Sequence, residues 1–155
     1  MPRIRALLLG TLLCAVAAAR AGGEPVALPL QGAWQGDYPV SALDRLPEGL
    51  RESATGLLAD AATFARVWQA LRPGEAVPEV DFARQLVVFA RNVEYYNRTR
   101  IFQAELADGI VQVLALETKS ARPVAQHAAM ALAVVPAAGV RGIDIGSGTY
   151  WLLGR

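Results

Sequence analysis

Apolar and polar positions along the chain change their period several times, and each change marks an element. Ala6 to Ala19 is an apolar run of about fourteen residues with no polar face. That is too short to span a bilayer comfortably and unlike a surface helix. From Asp37 to Leu46, Tyr38, Val40 and Ala42 alternate with Pro39, Ser41 and Leu43, which predicts a short edge strand. After a turn at Pro47-Glu48-Gly49, Ser53 to Ala59 predicts a second strand weakened by Gly56. The period then becomes helical. Phe64, Val67, Trp68 and Leu71 share one face, and Thr63, Arg66 and Gln69 share another. Asp60 is placed to cap the first turn and Pro73-Gly74 to end the last, so an amphipathic helix is predicted over 61–72.

Beyond the helix the pattern is that of strands. Leu86 to Ala90 is continuously apolar, as expected of a central strand covered on both faces. Arg98 to Ala107 and Ile110 to Glu117 flank Asp108-Gly109, a pair suited to the positive φ of a tight turn, and predict a β-hairpin. Alternation assigns Phe102, Ala104 and Leu106 to one side, and Ile110, Leu114 and Leu116 to a common face. Arg122 to Gln126 reads as a loop or short helical turn. Ala129 to Val135 fits a helix by composition, but its Val-Val-Pro ending favours a strand. Val140–Ile145 and Thr149–Leu153 read as short strands around Gly146-Ser147-Gly148. The sum is an α+β domain, mainly antiparallel sheet with one principal helix. The Gly- and Pro-containing stretch 22–36 is expected to be a loosely ordered leader, and 37–155 a single domain.

The first segment changes the picture of where that domain works. Arg3 and Arg5 precede the apolar run, and Ala19-Arg20-Ala21 supplies the small-x-small pattern that signal peptidase subsites accept. A cleavable export signal over 1–21 is expected. The mature chain is then periplasmic or secreted, with no stable membrane span. Cys14, the only cysteine, leaves with the signal; a lipid anchor there would follow Leu13, where such sites want a small residue. Of the 15 basic residues the signal takes Arg3, Arg5 and Arg20, so 12 remain against 14 acids. That near balance argues against nucleic acid or an anionic membrane surface as the main partner.

Candidate chemistry is sparse. His127 is the only histidine and has no set of companion ligands at metal-binding spacing. Ser147 lies near Asp144, and with His127 would make a hydrolytic triad. However, Ile145-Gly146-Ser147-Gly148-Thr149 does not follow the nucleophile-elbow pattern. Glu79 and Asp81 are paired acids; the plainer role for Asp81 is to bond turn backbone while Phe82 plugs the core. Tyr95, Tyr96, Arg98 and Arg100 combine large aromatic area with directional cations between the central strand and the hairpin. They are the candidate partner-binding residues. Asn97-Arg98-Thr99 also matches a glycosylation sequon. Trp34 and Trp151, near the two ends of the domain, are candidates to cover a shared edge. No cofactor fingerprint is present, and no cofactor is expected.

Phe64, Trp68 and Leu71 are followed by Pro78-Glu79-Val80-Asp81-Phe82, whose Pro-x-Val-Asp-Phe pattern is the distinctive part, then by the Leu86–Phe89 strand, the hairpin and the strand ending at Pro136. In this stretch, 64–135, the chain resembles the C-terminal domain of PrcB-type protease-complex subunits. The chain departs from that pattern after the central strand. There Val93-Glu94-Tyr95-Tyr96-Asn97-Arg98-Thr99 stands where the family has a glycine-containing turn. The resemblance implies a small, β-rich exported domain that assists or stabilises a secreted protease. The expectation is therefore a non-enzymatic interaction module of the cell envelope. A small exported hydrolase and a small-ligand carrier are the alternatives.

Overall fold

The computed structural model describes residues 23–92, 98–118 and 126–152. Its strands are β1 (Val26–Leu28), β2 (Gly32–Pro39), β3 (Thr55–Leu58), β4 (Gln85–Asn92), β5 (Arg98–Ala107), β6 (Ile110–Thr118), β7 (His127–Pro136), β8 (Gly142–Asp144) and β9 (Thr149–Trp151). Its helices are α1 (Val40–Leu43), α2 (Glu48–Arg51) and α3 (Ala61–Leu71). The fold is α+β and mainly antiparallel, built as three layers.

α3 packs on one face of a four-stranded sheet in the order β2-β7-β4-β3. The other face of that sheet packs on a five-stranded sheet in the order β1-β5-β6-β8-β9. Among the described residues only β6 and β8 run parallel.

The middle sheet explains the unbroken apolar runs. Val87 and Phe89 face the helix with Met130, Leu132 and Val134, whereas Leu86, Val88 and Ala90 face the second sheet with Ala131, Ala133 and Val135. A stretch of strand covered on both faces favours apolar residues at successive positions. α3 is fixed at its start by Asp60, whose Oδ1 accepts from the Thr63 backbone N–H at 2.7 Å. This bond is the main reason the carboxyl lies below its ordinary range. Phe64, Val67, Trp68, Ala70 and Leu71 make the buried face. Phe64 and Trp68 meet Trp34 of β2 with centroids 5.8 and 5.5 Å from its ring. Glycine matters most at Gly56, which pairs with Phe89 across β3–β4. A Cβ there would lie 1.9 Å from the Phe89 ring, so the close approach needs a bare α-carbon.

Several expectations are corrected. The leader expected over 22–36 is not loose where it is described, from 23 onward: Val26–Leu28 pairs with β5, and Gly32–Pro39 pairs along its whole length with β7. Glycine and proline suggested a loop, yet β2 is an edge strand, where both are tolerated and Trp34 and Tyr38 can still reach the core. The strand expected over 37–46 stops at Pro39, and 40–43 is a helical turn that buries Ala42 and Leu43. Glu48 to Arg51 is likewise helical, behind Pro47 at its N-cap. Trp34 and Trp151 cover no common edge. The first packs edge-on against Trp68 of the helix, and the second is half exposed on β9 of the other sheet.

The hairpin forms as expected, with Asp108 at φ 51° and Gly109 at φ 79° in its turn. Its side-chain parity does not hold. The register shifts between Ile101 and Gln103, a β-bulge, so Phe102 points out while Ala104 is fully buried. Leu114 and Leu116 do share a face, but it is the outer one.

Candidate functional site

β1 pairs with β5 only from Ala104 to Leu106, and the chain then crosses from the edge of one sheet to the edge of the other to become β2. That crossing leaves the Arg98–Phe102 stretch of β5 with no strand neighbour on one side among the described residues. A cleft of about 220 Å³ lies there, lined by Gln35, Gly36 and Asp37 of β2 and by Arg98 and Thr99 of β5. A contiguous hollow of about 310 Å³ shares Gln35, Arg98 and Thr99 and adds Arg100, Leu116, Glu117 and Thr118.

Alternation along β5 divides the chemistry of this corner. Arg98 and Arg100 are exposed, and Thr99, between them, is only 3% exposed. Among the described residues the buried Thr99 hydroxyl has no hydrogen-bond partner, a cost that a bound polar group would offset. Among the described residues Arg98 has no ion-pair partner, while Arg100 lies over the Phe102 ring at 5.9 Å. Glu117 is engaged, accepting from Asn92 Nδ2 at 2.7 Å. On the far side of β2, Arg72 Nη2 donates to the Gln35 carbonyl at 3.1 Å, which caps one group of that edge with a cation. The corner therefore offers two guanidinium groups, an unsatisfied hydroxyl and an open strand edge, a combination suited to an extended acidic segment.

Of the partner-binding residues expected from the sequence, Arg98 and Arg100 come together here. Tyr95, Tyr96 and the sequon's Asn97 lie outside the described residues, as do the cleavage-site residues Ala19 and Ala21. Gln35, Asp37 and Thr99 escaped sequence reasoning. Inward alternation could have found Thr99; nothing local points to Gln35 or Asp37, which reach the corner through the sheet crossing.

The other candidates are dispersed. Asp144 sits beside Thr55, whose hydroxyl donates to its carbonyl at 3.0 Å. Thr55 lies across from Ala90, and Ala90 from Ala131, four residues along β7 from His127. The imidazole is thus displaced by roughly 13 Å along the strands and about 10 Å across them. His127, Asp144 and Ser147 do not assemble as a triad. The Asp144 carboxylate instead accepts from the Gly146 N–H at 2.8 Å and shapes the turn that carries Ser147. Asp81 does what its turn suggested: Oδ1 accepts from the Ala83 N–H at 3.1 Å, and Phe82 packs on Phe64 at 5.8 Å. Glu79 is exposed in the same loop.

Among the described residues no three His, Cys, Asp or Glu side chains gather as a metal site, and no helix is long and apolar enough to cross a membrane. The layer between the sheets is filled by Leu57, Leu86, Val88, Ile101, Val111 and Ile143, each under 6% exposed. No family model, curated protein or solved structure matches the chain.

Proposed function

We propose that this chain is an exported, non-enzymatic interaction module of the cell envelope, which assists or stabilises a secreted protease or another exported assembly. The observation that carries the reading is the β5 edge left open among the described residues, where Arg98 and Arg100 flank the buried Thr99 hydroxyl, which has no partner among them. An extended acidic segment of a partner would add its backbone to that edge and its carboxylate to the guanidinium groups. The PrcB-type resemblance supports the choice of an exported protease complex, and the N-terminal apolar run supports the compartment.

The test has two arms. N-terminal sequencing of the protein from the envelope fraction should begin at Gly22; a cytosolic chain beginning at Met1 would remove the compartment. Crosslinking in an envelope extract at native concentration should recover a defined exported protein with the native chain. Arg98→Glu should lose it. Recovery of the bait alone, or equal recovery with Arg98→Glu, would end the reading.

A further inference from the structure

The outer face of the β5–β6 hairpin carries a pattern that its own image would complete. The bulge at Phe102 changes the parity of β5, so that Arg98, Arg100, Phe102, Gln103 and Glu105 all stand on the outer side. Opposite them on β6 stand Thr118, Leu116, Leu114 and Gln112. From one end to the other the face therefore reads basic, apolar, acidic. Phe102 is 54% exposed, Leu114 51% and Leu116 45%, and no element among the described residues covers them.

We infer that this face joins two copies of the chain about a two-fold axis. A two-fold axis lying in the interface plane, perpendicular to the strands and passing over Phe102 and Leu114, sets apolar centre on apolar centre and reverses the strand direction. It brings Arg100 of each copy to Glu105 of the other. An isologous contact requires each patch to complement its own rotated image, and a charge pattern that changes sign about an apolar centre does so. A face-to-face contact without that reversal would set Arg100 against Arg100, so the charged ends fix the orientation while the aromatic and aliphatic centre supplies the contact area. Without the bulge, Glu105 would point into the core and Ala104 outward, and the acidic end would be lost. This inference shares Arg100 with the reading above but concerns the broad face of β5 and not its open edge; Arg98→Glu tests the edge alone and Glu105→Arg the face alone.

Analytical ultracentrifugation of the purified protein over a concentration series tests it. The native chain should reach a dimer. Arg100→Glu and Glu105→Arg should each weaken dimerisation by about tenfold or more. Both changes in one chain should restore it, and an equimolar mixture of the two single variants should form a mixed dimer. Phe102→Ser with Leu114→Ser should be monomeric, with a thermal melt equal to that of the native chain at a concentration where both are monomeric. A native chain that stays monomeric, a double reversal that fails to restore association, or a dimer indifferent to Phe102→Ser with Leu114→Ser would each overturn the inference.

Discussion

β4 and β5 are neighbours in the sandwich and have opposite surroundings. β4 lies between the helix and the second sheet, and Leu86 to Phe89 have no exposed surface at all. β5 has one face on the core and the other bare, so that Thr99, Ile101 and Ala104 are buried beside exposed Arg100 and Phe102. Both strands carry a phenylalanine. Phe89 fills the space over Gly56, whereas Phe102 stands in solvent beneath a guanidinium. The same side chain thus holds the fold together in one strand and leaves the other available for contact. Burial on both faces commits a strand to stability; burial on one face leaves the second side free for recognition.

The comparison breaks most directly at the two phenylalanines. Phe89→Ala should cost about 3–5 kcal/mol in urea unfolding, because it empties a fully enclosed site. Phe102→Ala, measured at a concentration where the chain is monomeric, should stay within about 0.5 kcal/mol of the native chain. Equal losses at both positions would mean that the outer face is in fact core. Gly56→Ala should cost about 1–3 kcal/mol by forcing the Phe89 ring aside. Combining it with Phe89→Leu should cost less than the two single effects added together. Full additivity in that double-mutant cycle would refute the clash.

A smaller effect belongs to the helix that covers β4. Asp60→Ala should cost about 1 kcal/mol at neutral pH, read from the shift in the denaturant midpoint. The Asp60 carboxyl is depressed from 3.8 in the folded state, chiefly by the bond from Thr63. Its contribution is therefore present above that value and is lost as pH falls through the lower folded value. The gap between native and variant should close in acid; a gap of constant size down to low pH would show that the carboxylate is not the cap.

Much of the middle layer was legible in the sequence because local pattern and final environment agree there. Leu86–Ala90 has no polar residue because it has no wet face. Asp60 and Pro73 bracket α3 by backbone chemistry that needs no tertiary context. Ala129–Val135 is rich in alanine, yet β-branched Val134 and Val135 before Pro136 pointed to a strand, and β7 is one. The outer layer was read less well. A bulge inserts one residue without any marker in the sequence, so alternation failed at Phe102. β2 escaped because Gly32, Gly36 and Pro39 suppress the strand signal, and its identity comes from β7, far along the chain. The candidate site was half legible. Arg98 and Arg100 announce themselves by charge, whereas Gln35 and Asp37 arrive only through the crossing between sheets.

That crossing also bears on how the chain is assembled. Val26 finds its place against Leu106 and Gly32 against Val134, so the first two strands wait for partners synthesised roughly 80 and 100 residues later. Ribosomal synthesis delivers the opening strands early, but their docking closes loops that span most of the polypeptide, a step that is entropically slow. In the interval Trp34 and Tyr38 are unsheltered on an unpaired strand, a template for misassembly between nascent chains. A holdase acting on this protein would have its main task at the N-terminal end and would finish it only once β7 was free to pair.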